Sequence, residues 1–145
     1  MAYNQSRFYG RFLDKISTTV TFTGAANLGA VGAVPIFTVT GEVLVVALVP
    51  FCTTLLTSAG GGTLALGVTG STSLFVAATT ATDIDANEFW VDATPDANGI
   101  AVPAALKDIA ITDNIIGTVG TAEISTGAIR FDLYYMPLSP NGKVT

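Results

Sequence analysis

The segment at residues 82–98, "TDIDANEFWVDATPDAN", concentrates the side chains best suited to chemistry in this chain. It carries five carboxylates and no basic residue. Asp83, Asp85 and Asn87 are spaced two residues apart, as oxygen ligands are at the start of a calcium-binding loop. Glu88 and Asp92 offer a second chemistry, because a pair of carboxylates can hydrolyse a glycosidic bond. The segment is therefore the first candidate for a metal site or an active site.

A structural interpretation of this segment competes with both chemical ones. Counted from Asp83, position 6 of a calcium-binding loop of the hand type is Glu88 instead of glycine, and position 12 is Thr94 instead of glutamate. A looser calcium site at Asp83, Asp85 and Asn87 stays open, and nothing else in the chain indicates a sugar cleft. Asp and Asn stabilise turns by bonding to their own backbone. We therefore interpret "TDIDAN" as a polar turn and predict no metal, no cofactor and no catalytic residue.

The residues after this turn, "EFWVDA", predict a short strand. Side chains alternate between the two faces of a strand, so Phe89 and Val91 are expected to point inward, and Glu88, Trp90 and Asp92 outward. Tryptophan is enriched among the residues that dominate binding energy at protein interfaces. We therefore predict that Trp90 lies at a subunit interface.

Other catalytic schemes lack their residues. The chain has no histidine, which removes the Ser-His-Asp and Cys-His arrangements in their usual form and the commonest metal ligand. Cys52 is the only cysteine, so an intrachain disulfide is excluded. It sits in a predicted buried strand, where an unpaired cysteine usually behaves as a small hydrophobic residue. The glycine run "AGGGT" lacks the lysine and the following helix of a phosphate-binding loop. These features predict a protein that is not an enzyme.

The composition indicates assembly. Half of the 145 residues are hydrophobic, the mean hydropathy is +0.58, and only 12% are charged, against roughly 25% in an average globular domain. So few charges leave apolar surface, which usually marks an interface. The most apolar run, "VLVVALVPF", has nine residues and contains Pro50, whereas a spanning helix needs about 20 apolar residues. The amino-terminal residues show no hydrophobic region of a signal peptide. We predict no membrane partner.

The charges are distributed unevenly along the chain. Residues 1–15 carry three basic residues against Asp14, a net of +2, and the remainder carries a net of −7. The acidic remainder would repel nucleic acid, so no nucleic-acid partner is predicted. We interpret residues 1–17 as an extended arm that docks onto a negatively charged partner, although packing back over the sheet stays open. Arginine and aromatic residues are enriched at interfaces, and the predicted anchors are Arg7, Phe8, Tyr9, Arg11 and Phe12.

Residues 18–145 predict an all-β fold: a single-domain antiparallel β-sandwich or jelly-roll-like barrel that follows the amino-terminal arm. Strand signals rich in Thr, Val, Ile and Phe recur with glycine-rich turns between them. The first strand is predicted at residues 18–23, and "VPAALKDI" predicts one or two helical turns. Hairpins are predicted at two turns, residues 60–62 and 125–127. In the last strand the alternation is clearest, with Ile129, Phe131, Leu133 and Tyr135 expected to point inward.

The strand at residues 36–52 is apolar on both faces. Its alternation predicts one buried face of seven residues, namely Phe37, Val39, Val43, Val45, Ala47, Val49 and Phe51. The opposite face turns apolar at Leu44, Val46 and Leu48. A strand that is apolar on both faces is covered on both. Either this strand lies centrally, or a second subunit buries its other face.

The pattern of the chain from about Phe37 onward resembles small structural proteins of tailed bacteriophages. The stretches behind this likeness are "IFTVTGEVLVVAL", "TLALGVTGST", "TTATDIDANEFWVDATPDA" and "AIRFDLYYMPLSPNGKV". The resemblance implies a capsid decoration protein: a non-enzymatic β-sandwich or jelly-roll subunit, often a homotrimer, made in the host cytoplasm. It would bind the major capsid protein outside the phage head. The alternatives are a tail or head-fibre module that binds a cell-surface glycan and, last, a carboxylate-pair glycosidase.

Overall fold

The computed structural model describes residues 13–145. Twelve strands run through this part of the chain, together with two single turns of 3-10 helix at Ala81–Asp83 and Ala104–Leu106. The strands, in chain order, are β1 (Asp14–Thr21), β2 (Gly32–Phe37), β3 (Val39–Thr40), β4 (Val43–Thr57), β5 (Thr63–Val68), β6 (Ser71–Thr80), β7 (Glu88–Phe89), β8 (Asp96–Ala97), β9 (Lys107–Ile111), β10 (Ile115–Gly120), β11 (Thr126–Pro137) and β12 (Lys143–Val144).

Two principal sheets form a sandwich. The larger sheet has six strands in the order β1-β11-β4-β7-β8, and β9 pairs with the other end of β4 on the same side as β7. The smaller sheet has four strands in the order β2-β10-β5-β6, and β12 pairs with β3 in a short ribbon. Every pairing between these strands is antiparallel. The predicted all-β antiparallel sandwich is confirmed.

The buried side chains of both sheets form one hydrophobic cluster. Its largest fully buried members are Trp90, Phe131, Leu48, Leu56, Leu64, Leu66, Ile84, Leu106, Ile115, Ile124, Ile129 and Leu133. They come from β4, β5, β10, β11 and the connecting loops, so the core lies between the sheets. Between residues 13 and 145, no helix has the length and apolar character needed to cross a membrane.

The first strand begins earlier than its sequence pattern predicts. β1 starts at Asp14 and ends at Thr21, where the pattern predicts residues 18–23. Its whole length pairs with β11, from Asp14 opposite Tyr135 to Thr21 opposite Ala128. The last residues of the predicted arm therefore belong to the larger sheet, and residues 1–12 lie outside the described part of the chain.

The predicted buried face of the strand at residues 36–52 is wrong beyond Val45. The pairing with β11 passes from Val45 opposite Tyr135 to Ala47 opposite Tyr134, so Val46 is an extra residue on β4. Such a β-bulge shifts the alternation by one residue. After it, the fully buried residues are Leu48 and Cys52, whereas Ala47, Val49 and Phe51 are half-buried on the opposite face. The pattern is also interrupted before β4, where β2 and β3 are separate strands.

Both predicted hairpins are wrong as strand pairs. Residues 60–62 connect β4 to β5, and residues 125–127 lie where the chain passes from β10 to β11. In each case the two strands belong to different sheets, so the connection crosses the sandwich. The tight hairpin of the fold is β5–β6, where Val68 pairs with Ser71. A turn-rich sequence between two strands does not say whether those strands pair with each other.

Two other local predictions are confirmed. β11 alternates as expected, with Ile129, Phe131, Leu133 and Tyr135 buried, while Arg130 and Tyr134 are exposed. The stretch "VPAALKDI" contains one turn of 3-10 helix, Ala104–Leu106, whose Leu106 is fully buried.

Candidate partner-binding surface

The side of the larger sheet that faces away from the core is the most apolar strand surface left open to solvent. We call it the outer face. Residues that pair directly across antiparallel strands share a face, and the pairings place thirteen residues here: Lys15, Ser17, Thr19, Leu44, Val46, Ala47, Val49, Phe51, Phe89, Arg130, Asp132, Tyr134 and Met136. Its centre is the half-buried apolar row on β4, between Leu44 and Phe51. This row is the apolar second face that the sequence predicts.

Aromatic and aliphatic side chains pack together within this face. Phe51 on β4 and Phe89 on β7 are directly paired, and their rings meet edge to face with centroids 5.0 Å apart. The guanidinium of Arg130 lies 5.1 Å from the Phe51 ring centroid, within cation–π range. Lys15 stands in the same relation to Tyr134, at 5.7 Å. Basic groups thus border the apolar row and leave much of it uncovered.

A polar cluster around Asp132 lies beside the apolar row. The Arg130 Nε–H donates to one carboxylate oxygen at 2.9 Å, the Ser17 hydroxyl donates to the other, and the Lys15 ammonium is 3.9 Å away. Burial alone would raise the pKa of Asp132. The hydrogen bonds from Ser17 and Arg130 and the charges of Arg130 and Lys15 outweigh burial, and they hold the pKa of Asp132 below its ordinary value. Asp132 is therefore ionised and internally partnered.

Charge is segregated between the outer face and the rest of the described chain. Three of the four basic residues in residues 13–145 lie on it or at its margin: Lys15, Arg130 and Lys107, which pairs with Ala47. Its carboxylates are Asp132 and Asp96, which pairs with Phe89. Three bases against two acids give the face a net of +1. The remaining described residues carry Lys143 against nine acids, a net of −8.

Trp90 does not point outward, and this prediction is wrong. Its side chain is 0% exposed, and its indole N–H donates to the Thr79 hydroxyl at 2.9 Å. The cause is the shifted alternation of β4. Because Phe51 points to the outer face, its partner Phe89 does too, and the next residue, Trp90, enters the core. A side chain with no exposed surface in one chain offers nothing to a second subunit, so Trp90 anchors the interior instead.

The acidic segment, residues 82–98, forms exposed turns around a short strand pair. Asp83 and Asp85 are exposed, and Asn87 has a positive φ of 68°. The Asp85 N–H donates to the Glu88 carboxylate at 3.1 Å, and Asp92 accepts bonds from the Thr94 backbone N–H and hydroxyl at 2.8 and 2.9 Å. These are the local bonds of the predicted polar turn. Within residues 13–145, no group of three or more Asp, Glu or Cys side chains is placed to hold a metal ion.

Cys52 is buried, as its strand predicts. It is 0% exposed and its thiol donates to the Thr54 carbonyl at 3.2 Å. Burial raises the pKa of the Cys52 thiol to about 11, and the nearby charges of Glu88 and Asp85 act in the same direction. A thiol that stays protonated at neutral pH is a poor nucleophile. Cys52 contributes to the core.

The predicted arm residues are not part of this geometry. Arg7, Phe8, Tyr9, Arg11 and Phe12 lie outside the described residues, and their predicted contact with a capsid stays a prediction. The described chain does show where the arm would start: β1 is an edge strand of the larger sheet, and Lys15 already belongs to the outer face.

Comparison with known proteins connects this fold to phage capsids. A chain of the "Cyanophage Pam1 capsid asymmetric unit" shares the fold, with 19% sequence identity and a TM-score of 0.52 over 86% of this chain and 85% of that chain. A chain of the "Acidic stable capsid structure of Helicobacter pylori bacteriophage KHP30" aligns over 92% of this chain and 98% of that chain, with 13% identity and a TM-score of 0.39, too low to support an argument. No family model and no curated protein match the chain.

Proposed function

We propose that this chain is a non-enzymatic structural protein of a bacteriophage virion, bound to the outside of the capsid as a decoration protein. The observation that carries the proposal is the fold it shares, over most of both chains, with a component of a cyanophage capsid structure. The resemblance of its sequence pattern to small virion proteins points the same way. Its low charge and half-exposed apolar outer face suit a protein that works in an assembly.

The proposed mechanism is stabilisation by binding only the assembled shell. A ligand that binds the assembled state and not the dissociated one shifts the equilibrium toward assembly by mass action. The chain would act as a homotrimer on the head surface after synthesis in the host cytoplasm, and would bridge subunits of the major capsid protein. The anchors in this proposal are the five arm residues Arg7, Phe8, Tyr9, Arg11 and Phe12.

The alternative of a glycan-binding adsorption module has less to support it. It relied on exposed aromatic residues together with the acidic turns, and the single tryptophan is buried. The glycosidase alternative relied on paired carboxylates such as Glu88 and Asp92. Both of these side chains accept hydrogen bonds from their own turns.

Two measurements test the proposal. The first is the copy number in purified particles, measured by mass spectrometry against the major shell protein; we expect an abundance comparable to that of the shell protein. A few copies per particle would instead indicate a tail or fibre component, and absence from the particle would contradict the proposal.

The second measurement tests the arm. Deletion of residues 1–12 leaves β1 complete, because β1 begins at Asp14. The truncated chain should keep its thermal unfolding transition and lose binding to particles that lack the protein. Within the arm, the double variant Phe8→Ala and Phe12→Ala should bind much more weakly, while the control Tyr3→Ala, an arm aromatic outside the predicted anchors, should bind normally. Full binding by the truncated chain would refute the arm's role.

A further inference from the structure

The outer face needs a partner with a specific chemistry. Its central row on β4 is apolar and half-exposed, and its margin carries Lys15, Arg130 and Lys107. Complementary interfaces bring opposite potentials together. The partner surface should therefore be acidic, with apolar groups among its charges.

The same chain carries such a surface elsewhere. The acidic segment, residues 82–98, has five carboxylates and no base, and the ion pairs found within residues 13–145 both use Asp132 instead. Asp83 and Asp85 are exposed, and Pro95 and Phe89 supply partly exposed apolar surface. A second copy thus presents what the outer face lacks.

We infer that copies of this chain associate head to tail, with the outer face of one copy docked on the acidic segment of the next. Docking two outer faces against each other would bring their basic residues together, which opposes a symmetric pair. Head-to-tail contacts use two different patches and generate a ring when the rotation closes. The inference rests on the proposed function for the ring of three; the contact itself depends only on this chain.

An open sheet edge favours the same arrangement. β1 is the first strand of the larger sheet, so one side of its backbone is unpaired within the described residues. Exposed edges and exposed apolar faces both promote association unless they are covered. A neighbouring copy docked over the outer face would shield Lys15 on β1 and the apolar row together.

The first test is sedimentation velocity of the purified full-length chain across a micromolar concentration series. We expect reversible association that weakens as salt is added, because the contact includes exposed charges. Val49→Glu, at the centre of the outer face, should weaken association at least about tenfold. Ala33→Glu is the matched control, because it adds the same charge to an exposed position on the smaller sheet, and it should associate normally.

A charge exchange tests which surfaces meet and uses only exposed side chains. One variant carries Lys15→Glu and Lys107→Glu, and another carries Asp83→Lys and Asp85→Lys. Each should associate about tenfold more weakly alone. Mixed together they should associate again, because each reversed surface then meets a complementary one. Wild-type association by both variants alone, or no recovery on mixing, would overturn the inference.

Amine labelling identifies any other occupant of the outer face. In the inferred assembly, Lys15 and Lys107 react more slowly with an acetylating reagent as the purified chain is concentrated. Protection that is independent of concentration and lost on deletion of residues 1–12 would show that the chain's own arm covers the face. Protection seen only on particles would show that the shell covers it. Either result overturns the inference, and neither affects the test of copy number in particles.

Discussion

The two sides of the larger sheet are both rich in apolar residues, but they use them differently. Toward the core, Leu48, Ile129 and Leu133 are fully buried and meet the smaller sheet. On the outer face, Val49 and Phe51 stay half-buried beside Arg130 and Asp132. Burial stabilises a fold roughly in proportion to the apolar area removed from water. The core side should therefore determine folding, while the outer face should determine association.

The sharpest test of the core side is Trp90→Ala. Removing a fully buried tryptophan loses its burial and leaves a cavity, so we expect a loss of about 3–5 kcal/mol in the free energy of unfolding. Urea denaturation of dilute protein measures it. Trp90→Phe keeps most of the apolar volume and removes only the bond to Thr79, and should cost about 1 kcal/mol. A small effect of Trp90→Ala would mean that this side chain is not a core residue.

Gly127→Ala tests the close packing where β11 begins. A Cβ at this position would lie 2.6 Å from the Leu55 carbonyl oxygen, with φ at +114°. We expect a loss of about 2 kcal/mol or more in the free energy of unfolding. Gly32→Ala is the matched control, because Gly32 has a similar φ of +128° and a Cβ added there would meet no atom within 4 Å. Equal losses in the two variants would show that steric contact contributes nothing.

Asp132→Asn tests the polar cluster on the outer face. We expect a loss of about 1 kcal/mol at neutral pH, since a hydrogen-bonded charge is replaced by a neutral amide. The pKa of Asp132 is lowered in the folded chain, so its contribution is present above the ordinary carboxyl pKa and disappears as the pH falls through the folded value. Wild type and variant should converge in acid when chemical denaturation is followed against pH. Asp14→Asn, at the exposed start of β1, is the control.

A pair of Val→Thr variants on β4 isolates the comparison with the smallest change. Val49→Thr on the outer face should change the free energy of unfolding by less than about 0.5 kcal/mol, since the added hydroxyl can reach water. Val45→Thr places the same hydroxyl at a fully buried position and should cost about 1–3 kcal/mol. For association the order should reverse, with only Val49→Thr weakening it. Equal unfolding losses would mean that the two sides of the strand are equally buried.

Sequence patterns predicted elements better than they predicted faces and partners. The regular alternation of β11 located a strand and its buried side correctly, because nothing interrupts that pattern between Ile129 and Tyr135. β4 has equally apolar residues on both sides, so its pattern could not reveal the extra residue at Val46. That one shift turned Phe51 and Phe89 outward and Trp90 inward, and it removed the predicted interface residue.

The amino-acid sequence by itself determined the all-β class, the polar turn at Asp83–Asn87, the buried thiol of Cys52 and the apolar second face of β4. These follow from side-chain chemistry and local alternation, which act within a few residues. Only the tertiary structure decided which strands pair, where the bulge falls, and which charges meet on one surface. Lys15, Arg130 and Lys107 come from distant parts of the chain, and strand pairing between β1, β11, β4 and β9 brings them to a common face. Pairing depends on contacts between residues far apart in sequence, and local patterns carry no information about them.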